Sequence, residues 1–158
     1  MARMIPKYVS RHTESSAEKR LFTAIQEGLS DQWTVLHSLP LVQGTDTRWG
    51  ETDFVLIGPY GIYCLEAKGN RIRFQGGQWY SGESELNKSP FDQAFGASSN
   101  VFRYLREKHP EIRESHARNR DPLVAYGILF PDVRFDIKTM ETDPTIVYDS
   151  SDKREKFE

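Results

Sequence analysis

Asp53 and Glu66 lie on either side of the turn Gly58-Pro59-Tyr60-Gly61, and Lys68 follows Glu66 by two residues. The segments flanking that turn, TDFVLIG and IYCLEAK, alternate as strands do, so residues two apart share a face. Closing a hairpin with Gly58 against Gly61 sets Ile57 opposite Ile62, Val55 opposite Cys64, and Asp53 opposite Glu66. One step further, Glu51 falls opposite Lys68. Side chains so placed have Cβ atoms ~4.5–5.5 Å apart, a separation at which like charges repel. Two carboxylates forced together on apolar strands call for a shared proton or a bound cation. Oxygen ligands suit a hard divalent ion such as Mg²⁺ or Mn²⁺. An ammonium beside such an ion is what phosphodiester hydrolysis needs: the metal acidifies a water, and the lysine orients it or stabilises the developing charge. The competing reading is a hairpin end whose acids and lysine face solvent.

Glu18 is a third acid of interest. Phe22, Ile25 and Leu29 follow it at helical spacing, so it lies on the apolar stripe, with Lys19, Arg20 and Glu27 opposite. It reads either as a carboxylate aimed at the same metal or as a helix-start acid favoured by the helix dipole. Gln93 sits at the edge of a later helix with Ala97, Asn100 and Tyr104, where it is a surface glutamine or a partner for the lysine or a phosphate oxygen.

These residues need an α/β frame in the order α-β-β-β-α-β, a mixed central sheet flanked by helices. The pattern predicts a helix from Glu14 to about Leu29, capped by Ser15 or Ser16. A strand follows over Trp33–Leu41, then the polar loop VQGTDTRWGE, then the two strands of the hairpin. A shorter hairpin, RIRFQ-GG-QWY, precedes a helix opened by Ser89-Pro90 and running to about Lys108. LVAYGILF is a further strand, and PTIVYD reads as one more. Residues 1–13 read as an N-terminal extension, 14–150 as the domain and 151–158 as a charged tail. That tail is either disordered or the start of a linker in a longer protein, the second being preferred.

With 158 residues the chain suits one domain with one core. Its 21 basic and 23 acidic residues exclude the strongly basic profile of a nucleic-acid coat protein. Arg103, Arg106, Lys108, Arg113, Arg118 and Arg120 nevertheless cluster, as a solvated face or a phosphate-tracking patch. A single cysteine, Cys64, within an apolar run makes no internal disulfide, and a cytoplasmic location is expected. His12, His37, His109 and His116 lack zinc spacing. No stretch is apolar enough for a signal peptide or a membrane span. Neither GxxxxGK nor GxSxG occurs.

Taken in order, the segments SSAEKRLF, GETDFVLIGPYGIYCLEAKG and SPFDQAFGASSNVFRYL resemble the nuclease-related domain, NERD, of the PD-(D/E)XK restriction-endonuclease-like group. The resemblance spans roughly residues 14–150. It implies that Asp53 and Glu66 are metal ligands together with the main-chain carbonyl of Ala67, and that Lys68 is the catalytic lysine. Glu18 would be the acid of the first helix and Gln93 the glutamine of the second. Thr52 replaces the nominal proline of the motif, and Ala97 stands where some relatives carry tyrosine. The expected function is metal-dependent hydrolysis of nucleic acid, DNA before RNA. The alternative is a non-catalytic module of the same fold that binds nucleic acid or a partner domain.

Overall fold

The computed structural model describes residues 1–11, 13, 15–43, 47–112 and 122–151, and of 41–43 and 47–51 the backbone only. The strands are β1 (Arg3–Ile5), β2 (Thr34–Gln43), β3 (Thr47–Gly58), β4 (Gly61–Ala67), β5 (Ile72–Gln75), β6 (Gln78–Ser81), β7 (Ser84–Glu85), β8 (Val124–Phe130) and β9 (Val147–Asp149). The helices are α1 (Ser16–Gly28) and α2 (Pro90–Lys108). Six strands form one sheet in the order β1-β2-β3-β4-β8-β9, and β5-β6-β7 form a second. In the large sheet β2, β3 and β4 run antiparallel, β1 joins β2 in parallel, and β8 and β9 continue from β4 in parallel. The expected α/β class, a mixed central sheet flanked by helices, is what the structure has.

Strand alternation distributes the core over both faces of this sheet. Val35, Phe54, Leu56, Ala67 and Leu129 pack with Leu21, Phe22 and Ile25 of α1. Val55 and Cys64 pack on the other side with Ala97 and Val101 of α2. Both helices begin at a serine cap. Ser15 Oγ accepts the Glu18 amide at 3.2 Å, and Ser89 Oγ accepts the Asp92 amide at 3.0 Å. Each first turn is thereby held against the sheet at a defined residue.

Three differences from the sequence reading concern short or polar segments. Most of VQGTDTRWGE is strand, not loop: β2 reaches Gln43, β3 starts at Thr47, and Val42 pairs with Arg48 after an irregularity at Leu41. A ladder satisfies backbone groups whatever the side chains, so polar residues extend it past the core. Arg3–Ile5 forms an edge strand, with Ala2 and Met4 buried. The segment PTIVYD splits into a 3-10 turn, Pro144–Ile146, and the three-residue β9. Among the described residues no helix is long and apolar enough to cross a membrane.

Candidate active site

The β3–β4 hairpin has the expected register: Gly58 pairs with Gly61, Ile57 with Ile62, and Val55 with Cys64. Its last pair is Phe54 with Leu65. Beyond it β3 stays on β2, where Thr52 pairs with Leu39 and Glu51 with Pro40. Meanwhile β4 stays on β8, where Glu66 pairs with Ile128 and Ala67 with Leu129. The two strands therefore part just where Asp53 and Glu66 stand. The expected ladder pairs Asp53–Glu66 and Glu51–Lys68 do not form, because each strand follows its other neighbour. The Ala67 amide, left without a β3 carbonyl, donates to Asp53 Oδ2 at 2.7 Å. The Lys68 amide points the other way and donates to the Leu129 carbonyl at 2.9 Å.

Alternation from Cys64 carries Glu66 and Lys68 to one face, and their side chains meet. Lys68 Nζ lies 2.6 Å from Glu66 Oε1, a charge-assisted hydrogen bond. Glu66 is buried and Lys68 half-buried, so little water screens the pair. Asp53 feels the same crowding. Burial, then the charges of Glu66 and Glu18, push its carboxyl up from 3.8 to about 8, against the Ala67 amide and Lys68, which pull it down. Half-buried Asp53 and buried Glu66 thus form an acidic pair, with the one ammonium of Lys68 on Glu66.

Glu18 enters from the other face, on the first turn of α1. A glutamate three residues after a serine cap ordinarily turns back to the cap amide. Here Glu18 Oε2 instead lies 3.4 Å from His37 Nε2 on β2. The His37 side chain is 1% exposed, between the rings of Phe22 and Phe54.

A family model for the nuclease-related domain, NERD, matches residues 13–131. The chain belongs to the nuclease-related domain family. Its core is accordingly restriction-endonuclease-like, as the sheet order and the flanking helices also indicate. No curated protein and no solved structure matches the chain.

This NERD domain does not bring every expected residue to the opening. Gln93 Nε2 donates to the Lys88 carbonyl at 3.0 Å, at the start of α2, and not to Lys68 or a carboxylate. Of the basic run, Arg103 donates to Asn100 and Arg106 stacks on Phe102, while Arg113, Arg118 and Arg120 lie outside the described residues. Asp132 had no signal in the sequence, yet its carboxylate binds Arg20 of α1 and accepts the Asn70 amide at 3.1 Å. It ties the start of α1 to the turn after Lys68. At that turn Gly69 lies so close to α1 that a Cβ there would come within 2.9 Å of the Ala17 Cβ. His37 was set aside for lacking zinc spacing. Its inward parity with Val35 on β2 was the signal available.

Among the described residues no three His, Cys, Asp or Glu side chains gather closely enough to hold a metal ion as they stand. Asp53, Glu66 and the Ala67 carbonyl are nonetheless an oxygen donor set of the kind Mg²⁺ and Mn²⁺ take. The donor chemistry fits them to a cation: where β3 and β4 part, two carboxylates share the single ammonium of Lys68, and a second positive charge would balance them.

Proposed function

We propose that the domain hydrolyses phosphodiester bonds of nucleic acid, DNA in preference to RNA, with Mg²⁺ or Mn²⁺. The observation that carries this reading is the acidic pair of half-buried Asp53 and buried Glu66, with Lys68 Nζ 2.6 Å from Glu66, beyond the last rung of the hairpin. A bound divalent ion supplies an acidified water and a sink for phosphate charge. Asp53, Glu66 and the Ala67 carbonyl would hold it, and the Glu18 carboxylate would hold one of its waters. Lys68 keeps an ammonium at the opening, where it orients a water or steadies charge developing on the phosphate. The Ala67 amide fixes the rotamer of Asp53, so the carboxylate is positioned before any ligand arrives.

A second reading is a binding module without catalysis. One observation favours it: each acid already has a protein partner, Asp53 on the Ala67 amide, Glu66 on Lys68 and Glu18 beside His37. Labelled single- and double-stranded DNA and RNA, incubated with Mg²⁺ or Mn²⁺ and with chelator, separate the two. Cleavage should require metal and disappear in folded Asp53→Ala, Glu66→Ala and Lys68→Ala. Binding without cleavage supports the module, and cleavage that survives chelator or all three substitutions refutes the site.

A further inference from the structure

We propose that His37 is the positioning residue for the Glu18 carboxylate and acts through it on metal binding at the Asp53–Glu66 opening. This inference rests on the metal reading above.

Four observations carry it. The slot that His37 fills is apolar: the Phe22 ring meets it edge-on at 5.4 Å and the Phe54 ring lies at 4.9 Å. Its Nδ1 is buried with no hydrogen-bond partner. An orphaned buried polar atom is destabilising, so for packing alone leucine or phenylalanine would serve this slot better. What the imidazole adds is on its other side, where Nε2 lies 3.4 Å from Glu18 Oε2 and 3.4 Å from Ser38 Oγ. Ser38 is in the left-handed region, with φ 53°, so the backbone is bent at the residue that brings its hydroxyl to the ring.

Glu18, for its part, has left the local bond open to it. The Ser15 cap accepts the Glu18 amide, but the Glu18 side chain goes to His37 and not back to the cap. One carboxylate oxygen thus lies against the imidazole across the α1–β2 interface. The start of α1 lies against the turn after Lys68, where Gly69 meets Ala17 and Asp132 joins Arg20 to Asn70, and His37 pairs with Phe54, the neighbour of Asp53, so Glu18 stands beside the opening. A group that orients a ligand without touching the ion is the usual outer layer of a metal site.

The test is Mn²⁺ affinity, read from the free-ion paramagnetic resonance signal in the 158-residue chain. The proteins compared are wild type, E18Q, H37L, H37Q and the double variant E18Q/H37L, with melting curves confirming that each is folded. E18Q and H37L should each weaken Mn²⁺ binding by about tenfold, the lower end of what outer-layer substitutions cost. The double variant should bind no more weakly than E18Q alone, because His37 works only through Glu18. H37Q, whose amide can donate to the carboxylate, should recover part of the loss. If H37L does not fold, H37F keeps the ring stack and is read the same way. Affinity unchanged in H37L while E18Q is weakened overturns this inference alone, as do losses that multiply in the double variant. A wild type that takes up no Mn²⁺ overturns the metal reading and this inference with it.

Discussion

Asp53→Asn should stabilise the domain in chelator, by an amount that grows with pH from about 4 to about 8. The folded Asp53 carboxyl is raised from 3.8 to about 8, first by burial and then by the charge of Glu66. Over that window the folded state keeps a proton that the unfolded chain has lost, so wild-type stability falls as pH rises. Its contribution is complete below pH 4 and gone above pH 8. Each pKa unit corresponds to about 1.4 kcal/mol, so the ceiling is roughly 6 kcal/mol. Asp53 is half-buried, and water entering the opening relieves part of the penalty, leaving an expected gain of about 1–3 kcal/mol at pH 8. Asparagine is isosteric and can still accept the Ala67 amide, so the hydrogen bond at 2.7 Å is not what changes. Urea unfolding of both proteins in chelator at pH 4, 6 and 8 gives the difference directly. Millimolar Mg²⁺ or Mn²⁺ should then raise the melting temperature of wild type and not that of the variant. A gap independent of pH, or a variant less stable at pH 8, refutes the reasoning.

Lys68→Met should abolish cleavage and lose about 3 kcal/mol in denaturant melts, the low end for a buried pair because Lys68 is half-buried, since it leaves buried Glu66 without its ammonium at 2.6 Å. A variant as stable as wild type would show that the pair does not hold Glu66. Gly69→Ala puts a methyl 2.9 Å from the Ala17 Cβ and should lose about 1–3 kcal/mol by displacing the start of α1. That displacement also moves Glu18, so the melting response to Mn²⁺ should shrink with it, and an undiminished response would contradict this. Gln93→Ala should leave the melting response to Mn²⁺ as in wild type, because the Gln93 amide is held by the Lys88 carbonyl. A clear loss of that response would place Gln93 at the site after all.

The hairpin was legible because its turn is local: a Gly-Pro-x-Gly turn sets the register, and alternation then puts Glu66 and Lys68 on one face. Where the hairpin stops was not legible. Whether β3 stays on β2 and β4 on β8 depends on strands far away in sequence, and that choice decides whether Asp53 faces a carboxylate or caps an amide. Helical spacing placed Glu18 on the buried stripe, and it is there, but its partner His37 is on another element and carries no motif. Gln93 was correctly put beside the apolar face of α2. The direction of its amide is set by the carbonyl at the start of that helix, which spacing does not encode. The three-residue strands β1 and β9 are too short for alternation to show and are specified by the neighbours they extend.

The parting of β3 and β4 beyond Phe54 and Leu65 gives the Ala67 amide an unusual guardian. Neighbouring amides on β4 are sheltered by strands, and their hydrogens exchange only when the sheet opens. The Ala67 hydrogen is sheltered by a side chain, so its exchange follows Asp53 rather than the sheet. A single backbone resonance thereby becomes a gauge of charge at the opening. It moves downfield as the carboxylate ionises, and its exchange quickens whenever Asp53 swings away, whether toward a cation or toward solvent.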